Sequence, residues 1–183
     1  MTRRVQLVLL CEDTQHEAFC RRFFSAMGWE MRLIRVEKSL GGRGSAEQFV
    51  RQRFPRELKA HRSRPVSQAF VTMMDGDRHG VDARLELLNE ACRAGEIDVR
   101  SAGERVAVFV PTWNIETWFA YLDGATVDEA RSDYPRLTRE RECQRHVDAL
   151  TGMCRAGALR QPSPPSLDRA CGEYRTRLEG GRQ

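Results

Sequence analysis

The sequence has no long apolar run. No segment approaches the roughly 20 apolar residues that a helix needs to cross a bilayer. The first residues, MTRRVQLVLLCED, are basic and then apolar, as at the start of a signal peptide. However, the apolar stretch is short, runs into acidic residues and lacks a small-residue cleavage site. We therefore expect a cytoplasmic protein that is not associated with a membrane, with its first β-strand in this segment.

The sequence also lacks a CxxC pair. Its six cysteines are scattered along the chain, and a disulfide framework would be unusual in a cytosolic protein of this size. We expect reduced, mostly buried thiols. Cys143 and His146 are close together, but no second pair of ligands follows at the spacing of a zinc site.

Lysine is scarce, since Lys38 and Lys59 are the only two among 30 basic residues. Arginine matches phosphate oxygens better than lysine does, which favours nucleic acid as a partner. A GC-rich genome produces the same bias, so both interpretations stay open. The net charge is only +4, and no GxxxxGKS/T motif indicates an ATPase.

What the sequence does contain is a regular alternation of strand and helix patterns. Thr14, Ser45 and Asn114 stand where helix caps are expected. Apolar runs predict four strands, over 5–11, 31–36, 69–74 and 106–110. This alternation predicts an α/β fold, with a mostly parallel, Rossmann-like four-stranded sheet flanked by helices.

The alternation weakens after Gly124, where the pattern becomes helical. We expect residues 1–124 to form the main domain and residues 125–183 to form a helical extension with a disordered tail. Helices are predicted over 138–154 and 166–178.

Four acidic residues follow three of the predicted strands. Glu12 follows the first, Asp75 and Asp77 follow the third, and Glu116 lies in the helical turn after the fourth. Parallel strands present their carboxyl ends at one edge, where ligands bind. Carboxylates gathered there require a cation, and hard oxygen ligands favour Mg²⁺ or Mn²⁺. Taken singly, each acid could instead serve a helix start or a turn.

Three motifs in this order resemble those of the Toprim domain. They are the segment EDTQHEAF from Glu12, the DGD of Asp75–Asp77 and the segment PTWNIETW, which contains Glu116. The best agreement is with OLD-type (overcoming lysogenization defect) nucleases and their relatives in bacterial phage defence, over about residues 5–122.

The resemblance implies a metal-dependent nuclease that hydrolyses phosphodiester bonds in DNA or RNA. It implies that Glu12, Asp75 and Asp77 bind a first metal ion and that Glu116 helps to bind a second, to which Glu17 could also contribute. Relatives of this kind often work beside a separate ATPase, which makes such a protein an expected partner.

The chain departs from the family pattern at three points. Asp13 replaces a glycine, His16 stands where the family has a second acid, and the downstream lysine is missing. His16 could serve a second ion, as Glu17 could, but we expect it to be a solvated helix residue. These departures motivate a second hypothesis, in which a catalytically degenerate domain docks a partner protein. A flavodoxin-like phosphoryl-transfer domain is a third.

Three arginines are candidates for contacting a nucleic-acid backbone. Arg43 lies in a glycine-rich turn, Arg78 follows the DGD motif, and Arg175 belongs to the predicted last helix. A plain flexible turn and a solvated charged face are the alternatives for Arg43 and Arg175. The sequence does not distinguish DNA from RNA, or one metal ion from two, and it does not give the oligomeric state.

Overall fold

The computed structural model describes residues 5–41 and 45–179. Its four strands are β1 (Gln6–Cys11), β2 (Ile34–Lys38), β3 (Gln68–Met73) and β4 (Val106–Phe109). They form one sheet in the order β2-β1-β3-β4, and every pairing is parallel. The predicted fold class is therefore confirmed.

Six α-helices accompany the sheet: α1 (Thr14–Ala26), α2 (Ala46–Ser63), α3 (Gly80–Ala94), α4 (Ile115–Leu122), α5 (Gln144–Ala156) and α6 (Pro165–Glu173). Alternate residues of each strand point to opposite faces, so the sheet has two cores. On one face, Leu7 and Leu9 pack with residues of α1, α4, α5 and α6. On the other, Val8 and Leu10 pack with α2 and α3. Because both faces are covered, the strands are almost continuously apolar.

The segment after residue 124 contributes to the first of these cores. Tyr174 meets the ring of Phe23 edge-on at a centroid distance of 5.2 Å, and Leu150 and Leu167 are buried in the same cluster. The helix α6 therefore packs directly on β4, whereas α5 packs on α1 and α4. The predicted disordered tail falls mainly on residues 180–183, which lie outside the described part of the chain.

Several predicted boundaries shift for local reasons. Asp13 rather than Thr14 caps α1, because its carboxylate accepts the backbone N–H of His16 at 2.8 Å. The second strand begins at Ile34, since a 3₁₀ turn (Met31–Leu33) precedes it. The long predicted helix starts at Gln144, behind a 3₁₀ turn (Glu140–Cys143). The last helix becomes a π-helical turn (Tyr174–Glu179) after Glu173.

Among residues 5–41 and 45–179, no helix has the length and apolar character that crossing a membrane would require.

Candidate metal site at the carboxyl edge of the sheet

Glu12 and Asp75 meet at the carboxyl edge of two adjacent strands. Parallel pairing sets Cys11 opposite Met73, so β1 and β3 end at the same level. Glu12 directly follows β1 and is only 8% exposed. Its Oε2 atom accepts the backbone N–H of Asp75 at 3.2 Å. The sequence prediction that the first acid and the DGD turn converge agrees with this contact.

His16 completes this group from the first turn of α1. It is fully buried, and its Nε2 atom lies 3.1 Å from Oδ1 of Asp75. A carboxylate oxygen of Glu12, a carboxylate oxygen of Asp75 and a ring nitrogen of His16 all lie within 4.8 Å of one another. The prediction that His16 is solvated is wrong, because the cap at Asp13 turns this face of α1 toward the end of β3. We call these three residues the Glu12–His16–Asp75 cluster.

The cluster shifts the pKa values of two of its members upward. Burial raises the pKa of Glu12 to about 7, and the charge of Asp75 adds to this against the opposing charge of His16. Burial alone would lower the pKa of His16. The hydrogen bond to Asp75 and the surrounding carboxylates outweigh it and raise that pKa to about 9. A proton on His16 therefore balances the carboxylates whenever no metal ion does so.

Asp77, the second acid of the DGD motif, faces away from the cluster toward an arginine. Its carboxylate pairs with Nη2 of Arg84, and its side chain is 58% exposed. Arg84 is buried on α3, and its Nε atom also donates to the backbone carbonyl of Asp75 at 3.0 Å. Arg84 thus holds the DGD turn through two of its residues. This role was not predicted from the sequence, in which its only signal is the position of Arg84 on the buried face of α3.

The DGD turn is also held by the turn that follows β4. The N–H of Gly76 donates to the carbonyl of Pro111 at 2.8 Å, and Asp77 and Trp113 exchange two backbone hydrogen bonds. Asp77 and Trp113 both adopt positive φ angles, 44° and 62°. A Cβ atom at position 76 would lie 2.9 Å from the Pro111 oxygen. Glycine is therefore required there, and strained backbone of this kind is common at functional sites.

This contact between turns brings Glu116 to the border of the cluster. Glu116 lies in the first turn of α4 and is half-buried. Burial raises its pKa, and the negative charge of Asp75 raises it further. The exposed guanidinium of Arg136 lies 3.9 Å from its Oε1 atom. Glu116 is thus close enough to feel Asp75 electrostatically, but it is outside the 4.8 Å group.

Glu17, which the sequence suggested for a second metal ion, has other partners. Its carboxylate accepts hydrogen bonds from Nζ of Lys38 at 2.8 Å and from Nε of Arg21 at 2.9 Å. Partial burial would raise its pKa, but these two cations outweigh that effect and lower it. The structure places Glu17 in a surface ion-pair network instead of the cluster.

The three arginines proposed for nucleic acid have different positions. Arg78 is exposed in the turn before α3, directly after the DGD motif. Arg175 lies in the π-helical turn after α6. It donates to the carbonyl of Gly157, the residue that follows α5, at 3.2 Å. Arg43 lies outside the described residues. Of the three, only Arg78 adjoins the DGD motif of the candidate site in the sequence.

Comparisons with protein-family models, curated proteins and solved structures find no match to this chain.

Proposed function

We propose that the protein is an Mg²⁺- or Mn²⁺-dependent nuclease of the Toprim type that hydrolyses phosphodiester bonds in DNA or RNA. The observation that carries the proposal is the contact between Glu12 and Asp75. These residues follow two different strands, and the carboxylate of Glu12 accepts the backbone N–H of Asp75 at the carboxyl edge of the sheet. The order of the three motifs supports the same conclusion.

The residues present fit a small, hard cation. Glu12 and Asp75 both offer carboxylate oxygens, and burial raises the pKa of Glu12, so a bound cation would stabilise its charged form. An imidazole beside two carboxylates favours Mn²⁺ over Mg²⁺, because nitrogen is a softer ligand. When bound, such an ion would activate water and stabilise the leaving oxygen of the phosphodiester.

The surrounding side chains have separate roles in this proposal. Glu116 borders the cluster from α4 and would extend it toward a second ion. Asp77 would join the ligands only by exchanging its ion pair with Arg84. Arg78 is exposed directly after the DGD motif and would contact a phosphate of the nucleic acid. We further propose, from the motif resemblance alone, that a separate ATPase is the partner and that the role is antiviral defence in the cytoplasm.

Asp75→Asn tests this proposal, because asparagine preserves the size of the side chain and can still accept a hydrogen bond from His16. We expect Mn²⁺-dependent nicking of supercoiled DNA, or cleavage of a structured RNA, to fall by at least about 10²-fold. Asp133→Asn is the matched control, since Asp133 is exposed and pairs only with its neighbour Arg131 among the described residues.

The control variant should retain full cleavage activity. Unchanged cleavage by well-folded Asp75→Asn protein would refute the assignment.

A second candidate function is a regulatory module that uses the same domain without metal. Two observations favour it: His16 already neutralises Asp75, and Arg84 already neutralises Asp77. Calorimetric titration with Mn²⁺ separates the two candidates. Binding heat that disappears in Asp75→Asn supports the nuclease, whereas no heat with the wild-type protein supports the module.

A further inference from the structure

Two cysteines from different helices lie in contact on the side of the molecule formed by α5 and α6. The Sγ atoms of Cys154 in α5 and Cys171 in α6 are 3.5 Å apart. All six cysteines of the chain are free thiols. A disulfide needs sulfur atoms about 2 Å apart, so the two sulfurs are already in contact and must approach further to form a bond.

A cavity of about 250 Å³ opens beside this pair. Both cysteines line it, together with Met153, Asp168 and Arg175. Cys154 is half-buried, whereas Cys171 is only 8% exposed. A small molecule that enters from solvent therefore has access to Cys154 before it reaches Cys171.

The electrostatic surroundings divide the roles of the two sulfurs. The hydrogen bond with Cys171 lowers the pKa of the Cys154 thiol, and the guanidinium of Arg175 lowers it further against the effect of burial. The same hydrogen bond, together with burial, raises the pKa of Cys171. Because Cys154 is also the more exposed of the two, it is the sulfur that an oxidant reaches first, and its thiolate is the nucleophilic form.

We propose that Cys154 and Cys171 are a redox-active dithiol, which hydrogen peroxide converts to a disulfide between α5 and α6. The thiolate of Cys154 attacks the peroxide oxygen, the O–O bond breaks, and Cys154 becomes a sulfenic acid as hydroxide leaves and takes up a proton. Cys171 then loses its proton and attacks the sulfenic sulfur, and a second hydroxide leaves as water. Two thiols are oxidised and one molecule of hydrogen peroxide is reduced.

The other four cysteines provide internal controls. Cys11, Cys20, Cys92 and Cys143 are all buried. Burial raises the pKa of each thiol, to about 12 for Cys11. No hydrogen bond joins any of the four to another cysteine in the described residues, although Cys11 and Cys143 lie near enough to Cys20 to raise the pKa of its thiol. The reaction should therefore be confined to the Cys154–Cys171 pair.

Peptide mapping tests the proposal directly, because trypsin places the two cysteines in different peptides, 146–155 and 170–175. The reduced full-length protein is treated with hydrogen peroxide, its remaining thiols are alkylated in denaturant, and the digest is analysed by mass spectrometry. We expect these two peptides joined with the loss of two hydrogen atoms, in at least about tenfold excess over any other cysteine pair.

Peptide 85–93, which carries Cys92, should be recovered fully alkylated. Equal amounts of several cross-linked pairs, or oxidation of Cys154 without a cross-link, would overturn the proposal.

Single substitutions test the order of events. In Cys171→Ser, the first step should still occur and leave a sulfenic acid on Cys154 that dimedone traps. In Cys154→Ser, the 170–175 peptide should stay reduced, since Cys171 is only 8% exposed and lacks a second thiol partner. Dimedone labelling of Cys171 in that variant, at the rate seen for Cys154, would contradict the assignment of Cys154 as the attacking sulfur.

Discussion

Two clusters of buried charge border this sheet, and they are neutralised in opposite ways. Near β4, the carboxylate of Glu173 pairs with two arginines. Its Oε1 atom lies 3.1 Å from Nη2 of Arg100, and its Oε2 atom lies 3.2 Å from Nε of Arg177. Glu173 also accepts the backbone N–H of Val108. Burial alone would raise the pKa of Glu173, but these cations outweigh it and lower that pKa. At the carboxyl edge, Glu12 has no arginine partner among the described residues, and its pKa rises to about 7.

The difference in charge partners separates Glu173, which stabilises the fold, from Glu12, whose charge is available for function. A carboxylate that only stabilises the fold is held by strong, permanent cations, as Glu173 is. Glu12 instead accepts one backbone N–H and is stabilised mainly by the charge of His16, which can give up its proton, with a smaller effect from Arg84, which forms no ion pair with it. A buried acid kept undercompensated in this way is typical of catalytic and ligand-binding sites.

Removing the charge of Glu173 should have the largest effect on stability. Glu173→Gln leaves Arg100 and Arg177 partly buried without a carboxylate, which costs about 3–5 kcal/mol of unfolding free energy. Urea denaturation followed by circular dichroism measures this loss. A decrease below about 1 kcal/mol would mean that solvent already screens this cluster, and the comparison with Glu12 would fail.

Removing the charge of Glu12 should change stability in the opposite direction. Since the folded-state pKa is raised from 4.5 to about 7, the wild-type protein loses stability as pH rises between these values. Glu12→Gln removes this loss and should gain on the order of 2–3 kcal/mol near pH 8. Below pH 4.5 the gain should vanish, because the wild-type carboxyl is then protonated in both states.

Thermal unfolding of both proteins across this pH range measures the effect. A Glu12→Gln protein that is less stable than wild type at pH 8 would show that the Glu12 charge stabilises the fold.

The strand ends could be predicted from sequence, whereas the side-chain partners could not. Apolar runs that stop at Glu12 and Asp75 locate the ends of β1 and β3, and parallel register then brings them together. The burial of His16 depends on the rotation of α1, which is set by the cap at Asp13.

The pairings of Asp77 with Arg84 and of Glu17 with Lys38 depend on helix packing and on the path of β2. Spacing along the chain contains neither helix packing nor the path of a strand, so it predicts Asp77 as a ligand of the first metal ion and Glu17 as a possible ligand of a second without indicating their cationic partners.

The pH dependence of Mn²⁺ affinity should be the smallest of the expected effects. It shows whether His16 binds the ion together with Glu12 or only balances charge. Binding through Glu12 requires an ionised carboxylate, so the association constant should fall about tenfold per pH unit below 7. If His16 also binds the ion, its proton must leave as well, and its pKa is about 9. The affinity would then continue to rise by about tenfold per unit between pH 7 and 8.5.

If His16 only balances charge, the affinity should level off above pH 7, because Glu12 is then ionised. Calorimetric titrations at several pH values, with buffers of different ionisation enthalpy, give both the slope and the number of protons released. His16→Gln is the matched variant, since it removes the titrating group. An affinity that does not vary with pH below 7 would exclude Glu12 as a ligand and leave its raised pKa without a role in metal binding.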